Sequence, residues 1–143
     1  MAVWFKPIEI AAATSLGDGC MPGYLGIEFV AAGENWMSAR MPVDARTRQP
    51  FGRLHGGASV VLAETVASVA GAMTVDPATH ATVGMEINAN HIRPAKDGWV
   101  TATATAESIG RTTQVWTIRI VDEEDKLVCL SRITLAVIAM DRK

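Results

Sequence analysis

An excess of charge of either sign is missing from this chain. Thirteen Lys and Arg stand against fifteen Asp and Glu over 143 residues, a formal net charge of −2, with a pI of about 5.9. A general nucleic-acid surface needs a strong basic excess, so no nucleic-acid partner is expected. Single arginines can still hold a phosphate group. Cysteine is scarce: Cys20 and Cys129 lie far apart, with no CxxC and no Cys/His metal spacing. They read as reduced thiols of a cytoplasmic protein, one of them buried in a strand. The first residues, MAVWFKP, lack the charged, apolar and cleavage regions of a signal peptide. Repeats, low-complexity tracts and linkers are absent as well. The run 54–75 is long enough to raise a membrane span. Its Glu64, His55, Ser and Thr residues argue against one, because a carboxylate at mid-membrane is costly.

What is present is a hydrophobic fraction of 49%, enough for one packed domain over 1–143 without staples. A short helix is expected over 7–16, ended by Gly17-Asp18-Gly19. Strands are expected over 24–30, 36–42, 82–92, 100–107, 115–121 and 127–138. Between 43 and 53 runs a polar loop with Asp44, Arg46, Arg48 and Gln49. A long helix follows over 56–74, stopped by Asp76-Pro77. Its apolar residues go nearly all round, at Val60, Val61, Leu62, Val66, Val69 and Met73, so burial on all sides is expected. The simplest arrangement is α+β, an antiparallel sheet curled around one long central helix.

Within that helix Glu64 is isolated. Apart from His55, no other side chain in 54–75 is ionisable. A carboxylate among Ala and Val is costly unless it is paired, protonated or used. The helix opens on His55-Gly56-Gly57, where uncrowded N–H groups can hold a developing negative charge. Gly56 and Glu64 are eight residues apart, about 12 Å along a helix. One small reacting group cannot touch both in the same chain. Joint action therefore calls for a second copy of the helix and a homodimer with the site at its interface. Ser68 lies one turn beyond Glu64, on the same face. Plainer roles stand beside these: Glu64 as a paired structural carboxylate, His55 as a helix cap, Ser68 as a packing residue, Gln49 as a loop-ordering residue.

Residues 41–65 (MPVDARTRQPFGRLHGGASVVLAET) and 83–94 (VGMEINANHIRP) closely resemble hotdog-fold acyl-CoA thioesterases. Within that family, the 1,4-dihydroxy-2-naphthoyl-CoA hydrolase and enterobactin-proofreading branch is the nearest in pattern. The resemblance runs from about Gly17 to Val137 and implies a hotdog fold. It implies that Glu64 is the catalytic nucleophile or general base, and that the Gly56 N–H polarises the thioester carbonyl. Gln49 and His55 then line the reacting centre, and Ser68 neighbours the carboxylate. The implied CoA-binding residues are Gly84, His91, Ile92, Arg93 and Pro94, with Ser108, Ile109, Gly110, Arg111, Thr112 and Thr113. Arg93 and Arg111 suit phosphates because a guanidinium fork matches phosphate oxygens. His91 as an interface histidine and Arg111 as a solvated turn residue are the plainer alternatives. The resemblance further implies a homotetramer of two dimers, an aromatic or medium acyl-CoA substrate, and no metal or cofactor, since CoA is part of the substrate. Two other functions compete: proofreading of a misacylated carrier protein, and non-catalytic binding of acyl-CoA.

Overall fold

The structure, a computed structural model, describes residues 1–141. Two short helices, α1 (Ile10–Ser15) and α2 (Met21–Tyr24), precede strands β1 (Glu28–Ala32) and β2 (Trp36–Pro42). The long helix α3 (Gly56–Ala72) follows, then β3 (His80–His91), β4 (Trp99–Ile109), β5 (Thr113–Val121) and β6 (Leu127–Ala139). All six strands form one antiparallel sheet in the order β1-β2-β4-β5-β6-β3. The sheet wraps α3, which packs against β2, β3, β4, β5 and β6.

Period-2 alternation builds the inner face. Met37, Ala39 and Met41 of β2, Val100, Ala102 and Ala104 of β4, and Trp116, Ile118 and Ile120 of β5 are all fully buried. The alanines of β4 meet a helix face of Ala58, Leu62, Ala63, Val66, Ala67 and Ala70, so helix and sheet approach closely. At Gly71 a methyl would run into the Leu135 side chain. Beyond it a buried polar chain anchors the helix end. Gln114 donates to Thr74 Oγ1 (2.8 Å) and accepts from Trp116 Nε1 (2.9 Å). Trp4 stacks on Trp116 with ring centroids 6.2 Å apart and donates to the Gly33 carbonyl. It therefore packs the core margin. Cys129 is buried in β6 and Cys20 is exposed; burial pushes the Cys129 thiol upward.

Several expectations need correction. The strand expected over 24–30 begins only at Glu28, because Pro22 starts α2 and Gly26 turns the chain at φ +75°. α1 is shorter than 7–16, and α3 ends at Ala72 rather than at residue 74. Most important, α3 is not buried on all sides. The sheet covers one face and leaves a stripe through Gly57, Glu64 and Ala72 exposed, with Val61 and Ser68 half-buried beside it. Its neighbour β3 is an edge strand, bonded to β6 and to no other strand of the described residues. No helix of the described residues is long and apolar enough to cross a membrane.

Candidate active site

The loop before α3 is closed by its own hydrogen bonds. The Gly52 N–H donates to the Gln49 carbonyl at 3.0 Å, and the Gln49 N–H donates to the Arg53 carbonyl at 2.7 Å. Gln49 Oε1 accepts from the Phe51 N–H, which leaves the Gln49 amide NH2 as a donor. Upstream, the Arg46 guanidinium bonds Asp44 at 2.7 Å and holds its carboxyl below the usual carboxylate range. Arg48 donates to the Lys96 carbonyl. Both arginines serve the loop.

His55 is the N-cap of α3: its Nδ1 accepts from the Gly57 N–H at 2.8 Å. Its carbonyl accepts from Ala58 at 3.0 Å and Ser59 at 3.2 Å. The first turn is thus largely satisfied, while the Gly56 N–H has no acceptor among the described residues. Gly56 lines a cavity of about 350 Å³ together with Gln49, Ser59, His91 and Arg93. His91 stands against the helix start, so closely that a methyl at Gly56 would lie 2.9 Å from its Nε2. A lone helix N–H with a donor amide and an imidazole nearby can stabilise an oxyanion.

Glu64 is not in that cavity. Two turns along the helix, its exposed carboxylate points toward β3, where a methyl on Gly84 would lie 3.1 Å from Oε1. The strand bulges here, with a register shift between Gly84 and Glu86, and bulges re-aim backbone next to functional groups. Ser68 makes no hydrogen bond to Glu64 among the described residues.

The expected site residues therefore form two groups. Gln49, Gly56, His91, Ile92, Arg93 and Pro94 share the cavity. Glu64, Gly84 and Ser68 lie on the open face of α3 and its edge strand. His55 caps the helix beside the cavity without lining it. Ser108, Ile109, Gly110, Arg111, Thr112 and Thr113 join neither group. They form the β4–β5 turn, and Thr113 sits on the same rungs as Val83 through Ala136 of β6. That is the Gly84 end of β3, seven residues or about 23 Å from His91. Four lining residues escape the sequence reading: Arg53, Leu54, Ser59 and Val128. Ser59 was findable, being one helical turn from Gly56. Arg53 was masked by the more obvious loop arginines, and Val128 arrives from a distant strand with no local signal.

A curved sheet around one helix, with an N-terminal donor over a cavity and a carboxylate on the helix's open face, is the hotdog arrangement. Comparison with known proteins agrees. The thioesterase superfamily pattern matches residues 51–129. The 1,4-dihydroxy-2-naphthoyl-CoA hydrolase of Escherichia coli is 46% identical over 136 residues, covering 95% of this chain and 99% of that protein. The proofreading thioesterase EntH of Cronobacter turicensis is 41% identical over 135 residues, covering 94% and 98%. The crystal structure of thioesterase HI1161 from Haemophilus influenzae superposes with a TM-score of 0.94 at 48% identity, covering 98% of this chain and 97% of that one. The chain belongs to the thioesterase superfamily, and it is a hotdog-fold thioester hydrolase.

Proposed function

We propose that the chain hydrolyses an aromatic or medium acyl-CoA to the free acid and CoA, at sites completed by a second copy of itself. The observation carrying this reading is the separation of the two chemical groups. The free Gly56 N–H faces a cavity without a carboxylate, and Glu64 faces outward from the same helix, about 12 Å away. The bare β3 edge offers the means of bringing them together. Val83 and Met85 are exposed along it, and an unpaired apolar edge strand favours pairing with another chain. Antiparallel pairing of two β3 edges about a two-fold axis brings the His91 end of one copy against the Gly84 end of the other. Glu64 and the 108–113 turn of one subunit then approach the cavity of its partner. Two such dimers make the proposed homotetramer.

In this site the Gly56 N–H, assisted by the Gln49 amide, binds the thioester carbonyl oxygen. Glu64 of the partner subunit attacks the carbonyl carbon, or takes a proton from a water that does so. The tetrahedral oxyanion collapses, the carbon–sulfur bond breaks, and CoA leaves as a thiolate that is then protonated; on the nucleophilic route water then hydrolyses the acyl–Glu64 anhydride, releasing the free acid and restoring the carboxylate. No metal or cofactor enters this scheme, and the cytoplasm, where acyl-CoA is made, is its proposed location. Similarity to the E. coli naphthoyl-CoA hydrolase supports an aromatic acyl group. Similarity to EntH supports a second reading, release of misloaded acyl groups from a carrier protein's phosphopantetheine arm.

The test is thiol release from benzoyl-, hydroxybenzoyl-, dihydroxynaphthoyl- and medium-chain acyl-CoAs, followed by mixing. Gly56→Pro and Glu64→Ala, each inactive alone, are co-refolded in equal amounts. Half the dimers are then hybrids with one intact site of two, so about a quarter of wild-type activity returns. Folded dimers with no recovery would sink the shared site. No thiol release from any wild-type reaction would sink the acyl-CoA substrate.

A further inference from the structure

Among the described residues two arginines are half-buried, and they differ sharply. Arg40 is paired: its guanidinium bonds Glu28 at 2.9 Å and lies 4.0 Å over the Trp99 ring. Arg53 has neither an ion pair nor a side-chain hydrogen bond among the described residues. A guanidinium withdrawn from part of its water without an anion is unfavourable unless a ligand supplies one. Arg53 lines the same cavity as Gly56, and Arg93, likewise without a side-chain partner, lines it too. No Asp or Glu lines that cavity, so the two positive charges are not offset from within.

The backbone of Arg53 is also held in place. Its carbonyl accepts from the Gln49 N–H, Gly52 before it turns at φ +83°, and Leu54 after it bridges to Arg48. A cation carried on a closed turn loses less freedom when it binds than one on an open loop.

We propose that Arg53 joins Arg93, already implied as a CoA residue by the family resemblance, in an anion clamp for the phosphates of CoA, and that Arg53 sets the preference for CoA over a carrier-protein arm. The proposal rests on the thioesterase reading above. CoA carries a diphosphate and a 3′-phosphomonoester, whereas a phosphopantetheinyl serine carries one phosphodiester of single charge. Two guanidinium forks matched to several phosphate oxygens therefore reward CoA more than the carrier arm. An anionic group on the acyl portion would present similar chemistry, and the choice of carriers separates the two sources.

The experiment uses one acyl group on CoA, 3′-dephospho-CoA and pantetheine, with wild type, Arg53→Leu and Arg53→Lys. Arg53→Leu is expected to lower kcat/KM for acyl-CoA by about 10- to 100-fold, chiefly through KM, the size of a lost charge-assisted hydrogen bond. The loss shrinks on pantetheine, and Arg53→Lys restores part of it by returning charge without the fork. Loss on both CoA forms assigns the diphosphate, and loss on CoA alone assigns the 3′-phosphate; either supports the clamp. An equal loss on all three carriers gives Arg53 a structural or acyl-directed role and overturns it, as does no loss on any. Wild-type turnover on every carrier keeps this outcome separate from failure of the thioesterase reading itself.

Discussion

Replacing Gly56 by proline removes one N–H from the start of α3 and leaves the helix intact. The backbone tolerates it: His55 sits at φ −67°, ψ 132°, the extended conformation a residue before proline prefers. Gly56 is the first helical residue, where proline is favoured. Its N–H bonds to nothing among the described residues, so folding loses no hydrogen bond. The new ring does crowd His91, since a Cβ would lie 2.9 Å from Nε2. Gly56→Ala brings the same Cβ and keeps the N–H, so the ratio of the two variants isolates the donor. Loss of one oxyanion-hole donor costs roughly 100- to 1000-fold in kcat, about 2.7–4 kcal/mol. We expect Gly56→Ala to lose only a few-fold from displacement of His91, and Gly56→Pro to fall about a hundredfold or more below it. Thermal unfolding of both variants checks the fold, and thiol release under saturating substrate gives kcat. Folded alanine and proline variants with equal kcat would refute the assignment of this N–H to the transition state.

Two further outcomes follow from the geometry. Gly84→Ala gains about 0.5–1 kcal/mol of strand preference, a rise in Tm of about 1–4 °C, while its methyl pushes on Glu64 Oε1 from 3.1 Å. A displaced carboxylate predicts about a tenfold lower kcat in a more stable protein; unchanged kcat at the higher Tm would separate Glu64 from the reaction. Asp44 titrates below its ordinary 3.8 because of Arg46, so the stability from this pair is present above that value and fades as pH falls through the lower folded pKa. Denaturant titrations of wild type and Asp44→Asn should differ slightly at neutral pH, since the pair is exposed, and converge once pH has fallen through the lowered folded pKa; a gap that widens in acid contradicts the linkage.

Much of the fold was legible where local patterning and tertiary packing agree. Strand β2 falls at Trp36–Pro42 as its flanking turns require, and β5 and β6 follow their alternation. α3 begins at Gly56 because His55 and the glycines mark a helix start. Helix α2 was missed because four residues around Pro22 and Gly23 carry no periodicity. The exposed stripe on α3 was misread for a physical reason. Alanine, valine and glycine look alike whether they meet a sheet or another chain, so apolar composition alone cannot say which face is open. At the site, the solitary Glu64 and the glycine-led helix were visible directly. The grouping of Gln49 with His91 and Arg93 was not, because residues more than forty positions apart in the chain meet only after β3 returns past the helix start. Family resemblance supplied that pairing, and it gave no place to Arg53.

The two faces of α3 have a consequence for how such a protein diversifies. Residues that hold the protomer together, from Ala58 through Leu62 and Val66 to Ala70, all face the sheet. The positions around Glu64, namely Ser68 and Ala72, lie outside that packing. Substitutions at these positions reshape the surface a substrate meets without opening a cavity in the core. Under the proposed shared site, acyl preference can therefore change at little expense in folding, with the helix start and its lone carboxylate left in place. One ancestral scaffold can in this way serve many thioesters.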